Sequence, residues 1–192
     1  MTDTRSRSMI EGIFLQNDRM AQKQQNDCGR SRYKIDIRGN QMTNFEFLKT
    51  KKEYALFASA AAEAEKVYAS APAMCAVGCR KALELAVRWV YAADNTIEMP
   101  YKDNLQSMIH EPTFRFAVDY KTWGKLLFIV KLGNLAVHTE RSVQAGDALT
   151  SLRGLFEFVE WIDYCYGEDY IERNFDEKKI PAEKVIVDTK KI

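Results

Sequence analysis

Three polar side chains recur at helical spacing late in the chain: Lys131, Asn134 and His138. Separations of three and four residues place them on one face of a helix. An ammonium, a carboxamide and an imidazole converging at a helix end have the chemistry to bind a phosphate or to move a proton. The same three groups also suit a satisfied polar cluster inside a helical bundle. On an earlier stretch Arg80, Glu84 and Arg88 stand four apart and can pair along one face. They fit a solvated ladder of ion pairs, or Arg80 and Glu84 turn inward to meet Lys131 and His138. A buried imidazole left without a partner costs about 1–3 kcal/mol, so His138 is expected at its helix end near Arg80 or Glu84. Arg141, three residues beyond, is a further cation for the cluster. His110, the other histidine, has no acid–base partner close in sequence and reads as a surface or helix-end residue.

These residues need helices to position them, and the apolar pattern supplies them. Lys51 to Ser70 is rich in Ala and Glu, with Tyr54, Phe57, Ala61, Ala64 and Tyr68 repeating at three and four. Its alanines predict close packing against another helix. Ser70 is placed to cap the next helix, with Pro72 in its first turn. That helix runs to about Ala93 and buries Cys75, Cys79, Leu83, Ala86 and Val90. Asp103 is placed to cap a short helix, Asn104 to His110, which Pro112 stops. Phe114 to Tyr120 reads as one more short segment. Lys121 to Val137 is the helix that carries Lys131 and Asn134, and Gly133 inside it predicts close backbone approach. After a turn from Thr139 to Gly146, Ala148 to Tyr166 buries Leu149, Leu152, Phe156, Val159 and Ile162, and Gly167 is a natural end.

The chain divides into three parts. Residues 1 to 41 carry eight Lys/Arg against five Asp/Glu with few apolar positions, and read as a disordered leader or as sequence ahead of a true start at Met42. Residues 42 to 168 form the helical domain. Residues 169 to 192 read as a charged linker, since seven acids and six bases crowd the last 25 positions from Glu168 and Pro181 interrupts any helix. Both termini are therefore expected to be flexible.

Composition removes several classes. A net charge of +1 over 192 residues gives no broadly basic surface for nucleic acid. No apolar run reaches bilayer length, and no signal peptide is seen, so the cytoplasm is expected. The four cysteines (Cys28, Cys75, Cys79, Cys165) show neither a disulfide framework nor zinc-ligand spacing, so no metal site is expected. Glycine-rich phosphate loops and the common hydrolase motifs are absent. No cofactor is expected in this chain.

Two stretches carry a resemblance: Cys79-Arg-Lys-Ala-Leu-Glu84 and Lys131-Leu-Gly-Asn-Leu-Ala-Val-His138. With Met42-Thr-Asn-Phe-Glu-Phe-Leu and Leu155-Phe-Glu-Phe-Val-Glu-Trp-Ile-Asp-Tyr-Cys-Tyr-Gly167, they resemble the helical domain of unknown function at the N-terminus of type I restriction–modification R subunits. That domain is similar to the HEPN group of helical bundles. The resemblance implies an all-α, HEPN-like bundle of four to five main helices. It implies a non-catalytic interaction or regulatory module working in defence against foreign DNA. Its partners would be other domains or subunits of a restriction complex, with nucleic acid or a second copy of the chain as alternatives. ATP and Mg²⁺ would serve only a full-length parent. The competing implication is a HEPN-type metal-independent RNase acting as a toxin or defence effector. Its motif pairs an Arg with a His four to six residues after a polar follower. Here Lys131 stands nearest the Arg position, followed by Leu132, and Lys lacks the bidentate fork of Arg.

Overall fold

The structure, a computed structural model, describes residues 43–138 and 142–181. Among them are four long helices: α1 (Ala55–Lys66), α2 (Pro72–Ala93), α5 (Tyr120–His138) and α6 (Ala145–Tyr166). Two short helices, α3 (Leu105–His110) and α4 (Pro112–Ala117), lie between α2 and α5. Two 3-10 turns, Glu46–Thr50 and Lys52–Tyr54, lead into α1. The class is all-α. No described helix is long and apolar enough to cross a membrane. The leader, Cys28, Arg141 and residues 182–192 lie outside the described residues.

The centre of the bundle is α2, which packs against α1, α5 and α6, while α5 also packs against α6. Cys75, Cys79, Leu83, Ala86 and Val90 are all fully buried, as the spacing predicts. The alanines of α1 do what their size allows: Ala58, Ala61, Ala62 and Ala64 are buried. At the crossing with α2, a Cβ on Gly78 would stand 2.9 Å from that of Ala64, so glycine is needed there. Trp89 joins Tyr54, Phe57 and Tyr166 in edge-on contacts with centroids 5.0 to 6.0 Å apart. Leu83, Leu152 and Phe156 all lie in the core.

Several local expectations are corrected by hydrogen-bonding chemistry. Ser70 does not cap α2; the cap position is Ala71, and the Ser70 hydroxyl donates to the Val67 carbonyl instead. Asn104, not Asp103, caps α3, accepting from Ser107 N–H at 2.9 Å, while Asp103 pairs with Arg88. Pro112 both ends α3 and starts α4, because Glu111 caps it through the Thr113 and Phe114 amides. Leu149 is half-exposed, and Ala148 takes the inward position.

The largest correction concerns the segment after α6. Gly167 ends the helix in extended conformation, and residues 168–181 lie back across the domain rather than leaving it as a linker. Arg173 reaches Asp163, Phe175 meets Phe156, and Asp176 bonds to Asn44 near the first described residue.

Candidate functional site

The short helices fix how α2 and α5 run. Tyr91, near the end of α2, donates to the Met108 carbonyl at 2.9 Å, and Trp123, near the start of α5, donates to the Ile109 carbonyl at 2.7 Å. The end of α2 and the start of α5 thus share α3, so the two long helices are antiparallel. Further along, Gly133 faces Arg80: a Cβ there would stand 2.6 Å from the Arg80 Cβ and 3.2 Å from the Ala76 carbonyl. The glycine admits the arginine stem between the helices.

That geometry decides the fate of the polar cluster. Lys131, Asn134 and His138 do share a face of α5, and all three are exposed to solvent. His138 is the last described residue of its helix. It lies five residues beyond Gly133, about 7–8 Å along the axis and away from Glu84. The imidazole is not the buried group the sequence reading called for. Arg80 does not turn toward it; its stem lies on Gly133 and its guanidinium stands 3.9 Å from Glu84. Glu84 also pairs with Arg88 at 3.3 Å, and Arg88 with Asp103 at 2.6 Å. The ladder runs along α2 half-exposed, and the Arg80 Nε is buried without a hydrogen-bond partner among the described residues. Such half-exposed pairs add little stability.

Two arrangements escaped the sequence. One surrounds Trp123. The Arg115 guanidinium lies 4.2 Å over its ring and His110 stands edge-on at 5.7 Å, its Nδ1 hydrogen-bonding the Gln106 carbonyl. Tyr120 beside it is 81% exposed and Phe116 on α4 is 59% exposed. No sequence spacing joins these residues, because three helices bring them together. His110 is, as expected, an exposed helix-end residue.

The other is a row of buried polar groups. Glu160 and Asp163 on α6 are 7% and 1% exposed, in a helix whose inward residues are otherwise mostly apolar. Asp163 is held by Lys51 at 2.5 Å and by Arg173 at 3.0 Å. Burial raises the Glu160 carboxyl above its ordinary value, opposed by hydrogen bonds from Tyr170 and the Arg173 amide. Asn44 donates its backbone N–H and its amide to the two oxygens of Glu65, at 2.9 and 2.6 Å. Glu65 is fully buried, and burial pushes its carboxyl up to about 7 despite those bonds. A signal for this row existed: acids at inward positions of helices, three residues apart on α6.

Among the described residues no group of three or more His, Cys, Asp or Glu could hold a metal ion. Cys75 and Cys79 are free buried thiols. No protein-family model, curated protein or solved structure matches the chain.

Proposed function

We propose that this chain is a non-catalytic helical interaction module, of the HEPN-like kind that begins type I restriction R subunits. One observation carries the first half: Lys131, Asn134 and His138 stand on a convex, solvent-facing helix surface. A reacting phosphate there would keep its water, and among the described residues no buried donor stands beside the three. Arg80, the nearest arginine on α2, is committed to Gly133 and Glu84. The second half rests on the resemblance of Cys79–Glu84 and Lys131–His138 to that family, and with it go the defence role and the partners within a restriction complex. ATP and Mg²⁺ would belong to the parent's other domains. The test is co-purification of the tagged full chain with the nuclease–helicase part of an R subunit. A stable one-to-one complex is expected, and none forming would refute the assignment. The RNase alternative keeps one supporting fact, the pairing of Lys131 and His138 on one helix face.

A further inference from the structure

The segment after α6 is held the way a receptor holds a peptide. Between Gly167 and Pro181 it has no helix or strand apart from a 3-10 turn at Glu177–Lys179. None of residues 168–181 is buried, whereas Asn44, Phe156, Glu160 and Asp163, which receive it, are. Its anchors are Tyr170, Arg173, Phe175 and the Asp176 backbone. Tyr170 donates its hydroxyl to Glu160, whose Oε1 also accepts the Arg173 amide at 3.4 Å. The Arg173 guanidinium donates to Asp163 at 3.0 Å and lies 4.3 Å over the Phe47 ring. Phe175 sets its ring against Phe156 at 5.6 Å. Asn44 then reads the backbone, accepting from Asp176 N–H at 2.8 Å and donating to its carbonyl at 3.0 Å.

Two of the receiving groups, Asn44 and Asp163, are also held from the core, whereas the hydrogen bonds to Glu160 come from the segment. Glu65 takes two hydrogen bonds from Asn44 and so fixes which way its amide points. Lys51 holds the other oxygen of Asp163. Asn44 is 5% exposed, so each of the three polar receptors, Asn44, Glu160 and Asp163, is more than nine-tenths buried. A preoriented receptor loses little ordering entropy when its ligand arrives. Asp163 is shared between the Lys51 ammonium and the Arg173 guanidinium, and the Phe47 ring flanks the arginine.

We propose that this groove on α6 and the first 3-10 turn is a binding site for extended peptides bearing Tyr, Arg and Phe at the spacing of Tyr170, Arg173 and Phe175. The chain's own segment fills it in cis, and a partner segment of the same pattern displaces it. The proposal rests on reading the chain as an interaction module and names the chemistry of what it recognises. Asn44 contacts only backbone, so it tolerates any residue at the Asp176 position. Arg173 and the two aromatic anchors set the specificity.

The test uses the full chain with Arg173→Ala and Phe175→Ala together, which removes two of the segment's anchors, and a fluorescent peptide of residues 168–181. By anisotropy, the peptide should bind the double variant at least about tenfold more tightly than wild type, whose own segment competes. The same peptide carrying Arg173→Glu should not bind. Should the double variant unfold, adding the peptide should restore its helical circular dichroism. Equal binding to both chains, binding of the charge-reversed peptide, or no binding and no restoration would each overturn the proposal. Co-purification with the R-subunit part, measured on the same variant, separates the two claims: a complex that persists without peptide binding removes the groove alone.

Discussion

Glu65 should make this protein less stable as pH rises, over a range where acidic groups usually do the opposite. Its carboxylate is fully buried at the end of α1, where Asn44 hydrogen-bonds both of its oxygens. The groups around it are the Asn44 amide, Cys79 across on α2 with Cys75 beside it, and Lys179 after α6. Burial dominates, and the carboxyl is raised from 4.5 to about 7. A folded value above the unfolded one means that the folded protein binds the extra proton. The contribution is complete below 4.5, falls as pH climbs toward 7, and is gone above it. At about 1.4 kcal/mol per pH unit, that interval corresponds to roughly 3 kcal/mol. The assay is urea unfolding of wild type and Glu65→Gln from pH 4.5 to 8. Gln cannot titrate, although its amide meets the Asn44 amide as a second donor, a fixed cost of about 1 kcal/mol. Wild-type stability minus that of the Gln variant should fall by about 2–4 kcal/mol up to pH 7 and then level off. A difference that is flat, or that grows with pH, refutes the account of this carboxyl.

Three further outcomes are expected. Gly133→Ala should destabilise by about 1–3 kcal/mol in denaturant titration, because the new methyl meets the Arg80 stem and the Ala76 carbonyl, and the helices must part. Leu83→Ala should cost about 2–5 kcal/mol by the same measurement, since the side chain is fully buried on the central helix. His138→Ala should change stability by less than about 0.5 kcal/mol, because the imidazole is exposed. A larger loss would return His138 to a buried network.

The fold was legible where it depends on spacing. Cys75, Cys79, Leu83, Ala86 and Val90 repeat at three and four, and Pro72 marks their start, so α2 could be read within a residue. Helix α5 runs through the predicted Val137 to His138, the last described residue before 142, and Gly133 was read correctly as a close approach. Capping was less legible, because Ser70, Asp103 and Asn104 offer equivalent oxygens and tertiary partners choose among them. Arg88 drew Asp103 away from capping. The polar cluster misled because a shared helix face says nothing about which way it points. Lys131, Asn134 and His138 look outward, while Gly133 and Leu132 between them look in. The segment after α6 was illegible for another reason. Tyr170, Arg173 and Phe175 are single anchors on an extended chain, without a period, inside a run of charges that resembles a linker. Its receptors Glu160 and Asp163 stand at inward positions of α6, but nothing in the sequence joins them to Asn44 or to the segment they hold.

The most direct test of a non-catalytic module is to give it the substrate of the competing reading. Purified full chain is incubated with labelled single-stranded RNA in chelator, beside His138→Ala of matched melting temperature. The account predicts no cleavage above buffer by either protein. Cleavage by wild type, lost in His138→Ala with its melting temperature intact, would contradict it.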